Sequence, residues 1–290
     1  MPPSLEPGAR IAIVAPSSPF DRTLLLRGVA WLGERYRVEF DWRACEREGF
    51  LAGSDQRRLE ELDRALERDD LGAIVAARGG YGLTRFVHRA NFAALRRSPK
   101  WLVGFSDVTA LHLEATAQRV ASIHAENAAG LGRGDGRARE AWVRTLENPR
   151  LPRTIGGLAC VQEGKARGVL AGGNLTLLFT QAAAGRLRLP DGAVVVIEDV
   201  TEAAYRVDRM LTALLVSGAF DRASAVVVGD FTDCPPSRGV SVEQVLAERL
   251  RELRVPVLAG LGFGHGDRNL PLVFGLPAAV DATAGTLTLG

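Results

Sequence analysis

Trp101-Leu-Val-Gly-Phe105 passes without a spacer into Ser106-Asp107-Val108, and a helical pattern follows as far as Arg119. A short apolar run that ends in a hydroxyl and an acid at a helix start has the form of a buried strand feeding a helix. The same unit recurs outward from this point. Ala73-Ile-Val-Ala-Ala77 is a strand between helices predicted over residues 56–69 and 84–97, and Arg10-Ile-Ala-Ile-Val-Ala15 is a first strand followed by a helix over 24–36. Strands and helices in alternation predict βαβ units around a buried parallel sheet.

Past residue 130 the chain becomes rich in glycine, with a helix predicted over 138–146, and the periodicity resumes near Gly168. This divides the chain into an N-terminal parallel-sheet α/β domain (1–147), a linker (148–167) and a C-terminal domain (168–290). In the latter, Ala193-Val-Val-Val-Ile197, Ala225-Val-Val-Val-Gly229 and Val255-Pro-Val-Leu258 read as strands, with helices over 174–184, 204–216 and 242–253. The tail over 279–289 alternates like a hairpin, so this second α/β domain is expected to be mixed.

The totals narrow the function classes. At 290 residues, 47% apolar and 24% charged, the composition is that of a globular protein rather than a disordered or membrane-spanning one. The net charge is +2, and the arginines alternate with acids, as over 55–68, which reads as a solvated helix face rather than a nucleic-acid stripe. The three cysteines, Cys45, Cys160 and Cys234, are far apart and form no C-x-x-C pair, which fits a reducing compartment. No apolar run has the length of a membrane span and the N-terminus has no signal-like pattern, so the expected location is cytoplasmic, with no membrane partner.

Reactive or small residues gather at strand ends, where α/β proteins bind ligands. Ala77 leads into Arg78-Gly-Gly-Tyr-Gly82, Phe105 into Ser106-Asp107, Ile197 into Glu198-Asp199, and the last parallel strand into Gly262-Phe-Gly-His-Gly-Asp267. Ser106 is a candidate nucleophile. The N–H of Asp107 and one from Gly79 or Gly80 are candidate donors to an oxyanion, an interaction worth about 3 to 4 kcal/mol for one donor. Read alone, Ser106 is more readily an N-cap, and its surroundings lack the second glycine of G-x-S-x-G. His265 in its glycine-rich loop is a candidate base, or a surface histidine. Glu198, behind four apolar residues, needs a buried partner, which is either His265 or one of Arg206 and Arg209. Arg78 and Arg85 are candidate contacts for a substrate carboxylate, and Tyr81 is a further candidate substrate contact. His112 falls within a helix and reads as packing. His124 and Glu126 form H-x-E without the P-C-x-x-C of the zinc deaminases, and H-E-x-x-H is absent, so no metal is expected. The glycine loop lacks both G-K-[ST] and G-x-G-x-x-G, which leaves a nucleotide-binding module with little support.

Taken in order, Ile13-Val-Ala-Pro-Ser-Ser18, Ala77-Arg-Gly-Gly-Tyr-Gly82, Gly104-Phe-Ser-Asp-Val-Thr-Ala-Leu-His112, Gly172-Gly-Asn-Leu175, Ile197-Glu-Asp-Val200 with Tyr205 and Asp208-Arg209, and Gly264-His265 span the chain. This series resembles the LD-carboxypeptidase family of serine peptidases, which includes murein tetrapeptide carboxypeptidases and microcin-immunity hydrolases. The resemblance implies a Ser106-His265-Glu198 triad in a cleft between two domains, no cofactor, a homodimer, and a small peptide substrate with D-alanine at its C-terminus. Two segments depart from the family pattern. Ile123-His-Ala-Glu-Asn-Ala128 stands where H-G-P would be expected, and Gly264–Gly275 places its proline differently. Both changes bear on the pocket and so on the substrate, which keeps an amidase of a microcin-like substrate as one rival reading; the other is a non-catalytic small-molecule-binding module in which Ser106 is a helix cap.

Overall fold

The computed structural model describes residues 1–290. The chain divides into two compact units, Met1–Pro149 with Pro271–Val273, and Arg150–Leu270 with Phe274–Gly290.

The first unit is built on β1 (Arg10–Val14), β2 (Arg37–Phe40), β3 (Ala73–Ala76), β4 (Trp101–Gly104) and β5 (Ser122–His124). They lie in the order β5-β4-β3-β1-β2, and each adjacent pair is parallel. The short apolar runs form these strands because both faces of the sheet are covered, and every residue of β3 and β4 is buried. Parallel pairing sets the carboxyl ends of β1, β3 and β4 along one edge, so the segments that follow them, 15–18, 77–82 and 105–107, share that edge.

Two expectations change in this unit. The stretch 84–97, read as one helix, is broken into turns at Leu83–Arg85 and Val87–Arg89 and a short helix Phe92–Arg97. Ala90 is extended, and the Asn91 N–H donates to Asp63 Oδ1 at 2.7 Å instead of continuing a helical ladder. The helix Asp55–Glu67, capped by Ser54, does not present its charges only to solvent. Arg57, Arg58 and Glu61 are buried, because the carboxyl edge of β1 offers backbone groups with no strand partner. Arg57 Nη2 donates to the carbonyls of Ala15 (2.8 Å) and Ala52 (2.6 Å), Arg58 Nη1 donates to Pro16 (2.6 Å), and the Ala15 N–H donates to Glu61 Oε2 (2.8 Å).

The second unit contributes β6 (Arg153–Ile155), β7 (Ala159–Gln162), β8 (Lys165–Asn174), β9 (Val194–Val200), β10 (Ala225–Thr232) and β11 (Val257–Ala259). β12 (Leu272–Phe274) then pairs next to β5 in the first sheet, and β13 (Pro277–Asp281) and β14 (Thr286–Leu289) form the hairpin read from the tail. The second sheet runs β6-β14-β13-β8-β9-β10-β11-β7, with a parallel centre from β8 to β11 and antiparallel flanks. Residues 148–167, read as a linker, thus supply both edge strands of this sheet. No helix is long and apolar enough to cross a membrane.

His112 stiffens the end of β4. It lies in the helix Thr109–Ala117, fully buried, with Nε2 2.9 Å from the Gly104 carbonyl and Nδ1 2.9 Å from Ser122 Oγ. A carbonyl only accepts, so Nε2 carries the proton and Nδ1 accepts from the hydroxyl. Burial pushes the imidazole down to about 4, with the Gly104 contact opposing. A histidine held neutral in the fold contributes stability above about pH 6.5 that is lost as pH falls toward 4. The buried Asp107 carboxyl, pushed up to about 6, works in the opposite direction over the same window, so the test is a difference between proteins. Between pH 7 and pH 4.5 the wild type should lose about 2 kcal/mol more unfolding free energy than His112→Gln. Equal losses in denaturant titrations would show that His112 is not held neutral.

Candidate active site

In the first unit, Phe105 is extended and Ser106 turns sharply, with φ +67°. A non-glycine residue there carries strain of about 1–3 kcal/mol, and it places the side chain outside the path of both strand and helix. The helix that follows opens with a tight turn, Ser106–Val108. The N-cap reading of Ser106 gains no hydrogen bond from its side chain: the turn is entered from Phe105, which has no side-chain cap. Ser106 is half-buried and Asp107 beside it is buried.

The Gly79–Gly82 loop lies directly against this turn. A Cβ on Gly79 would come 2.8 Å from the Ser106 Cβ and 3.2 Å from its Oγ, so only glycine lets the loop backbone stand at the hydroxyl. The Gly79 carbonyl accepts from the Ser18 N–H at 3.3 Å, and the Tyr81 N–H donates to Ser18 Oγ at 3.0 Å. The structure therefore sets Gly79 against Ser106, with Asp107 next to the serine and Gly80 against Ser18. Tyr81 is exposed and tilted on Phe50, with ring centroids 5.7 Å apart. Arg78 donates from Nη1 to the Pro19 carbonyl at 2.6 Å, and Arg85 is engaged by both oxygens of Asp55 at 2.9 Å.

In the second unit, Glu198 and Asp199 are successive residues of β9, and strand alternation sends them to opposite faces. Asp199 accepts from Asn174 Nδ2 and from the N–H and hydroxyl of Thr176, which fastens the start of the helix Leu175–Ala183. Glu198, fully buried, accepts instead from His265 Nδ1 at 2.7 Å. The two arginines considered as its partners are used elsewhere: Arg206 pairs with Glu202, and Arg209 stacks over Tyr205. With Nδ1–H donating to the carboxylate, a neutral His265 carries its ring lone pair on Nε2.

The His265 loop holds its own shape. The Leu261 N–H donates to Val228, the Asp230 N–H to Phe263, the Leu270 N–H to Gly262 and the Gly264 N–H to Asn269 Oδ1. Gly264 adopts φ +118°, and a Cβ on it would lie 2.6 Å from Glu198 Oε2. The glycine before the histidine is thus a condition of the Glu198–His265 bond. The residues alone named the imidazole and left the partner of Glu198 open, and they gave no sign of this requirement, although Gly264-His265 was legible as a pair. They also gave no role to Ser17, whose hydroxyl donates to Asp107 Oδ2 at 2.6 Å.

With this geometry in view, the comparisons are specific. The LD-carboxypeptidase N-terminal domain matches residues 11–125 and the LD-carboxypeptidase C-terminal domain residues 167–280. A murein tetrapeptide carboxypeptidase of Pseudomonas aeruginosa is 33% identical, over 94% of this chain and 93% of its own length. A solved muramoyltetrapeptide carboxypeptidase from Oxalobacter formigenes superposes with a TM-score of 0.86 at 29% identity, covering 97% of this chain and 98% of that one. The fold is shared as well by MccF solved in complex with glutamyl sulfamoyl guanosine, at a TM-score of 0.89 and 20% identity over 100% of this chain and 98% of that one. This chain belongs to the LD-carboxypeptidase family and is a peptidase.

Proposed function

We propose that this peptidase hydrolyses the amide before a C-terminal D-amino acid, releasing D-alanine from murein tetrapeptide in cell-wall recycling, with Ser106, His265 and Glu198 as a triad. The observation that carries the reading is the 2.7 Å bond from His265 to the buried Glu198, which leaves Nε2 as a base. The strained turn at Ser106, with glycine backbone against its hydroxyl, supports it from the other unit.

In this mechanism Ser106 Oγ attacks the scissile carbonyl as His265 Nε2 takes its proton, and Glu198 stabilises the imidazolium that forms. The developing oxyanion is met by the N–H of Asp107 and by that of Gly79 or Gly80. His265 then gives its proton to the departing D-alanine amine, leaving an ester on Ser106. Water, deprotonated by His265, releases the tetrapeptide's remaining tripeptide and restores the hydroxyl. Arg78, with Tyr81 beside it, is placed in this proposal at the substrate's terminal carboxylate. Arg85 shares that role only in exchange for Asp55. The same reading has the chain act as a homodimer in the cytoplasm, where its three unpaired cysteines stay reduced, without a cofactor, metal or nucleic acid.

A second reading rests on the fold shared with MccF: the same machinery would open an amide in a peptidyl or aminoacyl adenylate analogue. Product analysis separates the two. Wild type should release D-alanine from L-Ala-γ-D-Glu-diaminopimelyl-D-Ala, and Ser106→Ala should lower kcat by at least about 10⁴-fold. Activity retained in Ser106→Ala would remove the nucleophile. An inert tetrapeptide, with turnover of a sulfamoyl analogue, would favour the second reading.

The base is tested by pH. Only neutral imidazole accepts the serine proton, so kcat/KM should fall as pH drops and His265 becomes protonated, and a flat profile from pH 5 to 8 would exclude His265. Arg78→Gln should raise KM about tenfold or more with little change in kcat. An unchanged KM would remove Arg78 from the carboxylate site.

A further inference from the structure

The Asp107 carboxylate does more than follow the serine in sequence. It is 1% exposed, and one oxygen, Oδ2, accepts from two separate segments: Ser17 Oγ at 2.6 Å and the Leu83 N–H at 2.9 Å. Ser17 lies just beyond the carboxyl end of β1, and its neighbour Ser18 holds the 79–82 loop through the Gly79 carbonyl and the Tyr81 N–H. Leu83 closes that loop from its far end. One buried atom thus fastens both ends of the backbone that stands against the Ser106 hydroxyl.

The surroundings reinforce this. Arg58, buried and stacked 4.9 Å over the Phe86 ring, donates to the Pro16 carbonyl and pairs with Asp55. A Cβ on Gly82 would collide with the Arg58 guanidinium. Arg58 is the charged group that acts on the Asp107 carboxyl, and Asp55 is paired with Arg58. Burial favours the neutral carboxyl, whereas Ser17, Leu83 and Arg58 favour the carboxylate. An acceptor retained in so unfavourable a place, at the junction of three strand-end segments, points to a geometric task.

We propose that the Asp107 side chain is a positioning residue, which sets the Gly79–Gly80 backbone N–H groups at the oxyanion by holding Ser17 and Leu83 on a single oxygen. It acts through the loop and does not touch the substrate. The inference rests on Ser106 being the nucleophile, and the experiment includes that control.

kcat and KM for D-alanine release would be measured for wild type, Ser106→Ala, Asp107→Ala, Asp107→Asn and Ser17→Ala, with a thermal melt of each. Removing the acceptor should cost what a misplaced oxyanion donor costs. Asp107→Ala should lower kcat about 100-fold with KM within about threefold. Asp107→Asn keeps an acceptor oxygen and should restore kcat to within about tenfold of wild type. Ser17→Ala should lower kcat at least threefold with KM unchanged. The inference is overturned if Asp107→Ala keeps kcat within threefold, if its loss falls on KM, or if Asn is as poor as Ala. Should Asp107→Ala fail to melt cooperatively, Ser17→Ala decides, and an unchanged kcat there overturns the inference. Activity surviving in Ser106→Ala would defeat the nucleophile assignment itself, a result none of the Asp107 outcomes imitates.

Discussion

Parallel pairing is the constraint on which the rest of this molecule depends. When neighbouring strands run the same way, their carboxyl ends fall on one edge, and the chain must leave that edge by loops before returning through a helix. In the first unit this gathers the segments after β1, β3 and β4. In the second it gathers those after β9, β10 and β11. Backbone groups at such an edge have lost their ladder partners, and leaving them buried and unpaired costs about 1–3 kcal/mol each. The arginine and acid side chains of the helix Asp55–Glu67 meet that demand at Ala15, Pro16 and Ala52.

Buried acids are the second theme, and each answers to a different donor. Glu61 accepts from a backbone N–H and pairs with Arg57, Asp199 caps a helix start, Asp107 joins two loops, and Glu198 takes the imidazole. Burial raises the pKa of Glu61, Asp107 and Asp199 in common, and the hydrogen-bond donors on each oppose it. Glu198 and Asp199 show how finely this is divided. Adjacent in sequence, they differ in task because a strand turns alternate side chains to opposite faces.

Much of this was legible beforehand. The runs at 73–77 and 101–105 are strands to within a residue, the helix at 204–216 matches throughout, and the tail forms its hairpin. These elements are written in local periodicity, which a single segment carries by itself. The candidate residues were legible for the same reason: a hydroxyl, two glycines, a carboxylate and an imidazole stand where strands stop. The reading of 55–68 as a solvated face went astray because i,i+4 spacing of opposite charges is the same whether the pair faces water or a sheet edge. The single helix over 84–97 went astray because Asp63, some 28 residues from Asn91, supplies the competing acceptor.

The α/β class, the strand ends at which chemistry gathers and the family resemblance are all legible in the amino-acid order, since each depends on residues close together along the chain. That Glu198 pairs with His265 rather than an arginine, that Ser17 and Leu83 meet on Asp107, that residues 153–162 supply edge strands, and that β12 returns to the first sheet are outcomes of folding. Those outcomes join groups separated by tens of residues, or in the case of β12 by nearly the length of a domain. Their energies arise from burial and pairing that no local pattern encodes.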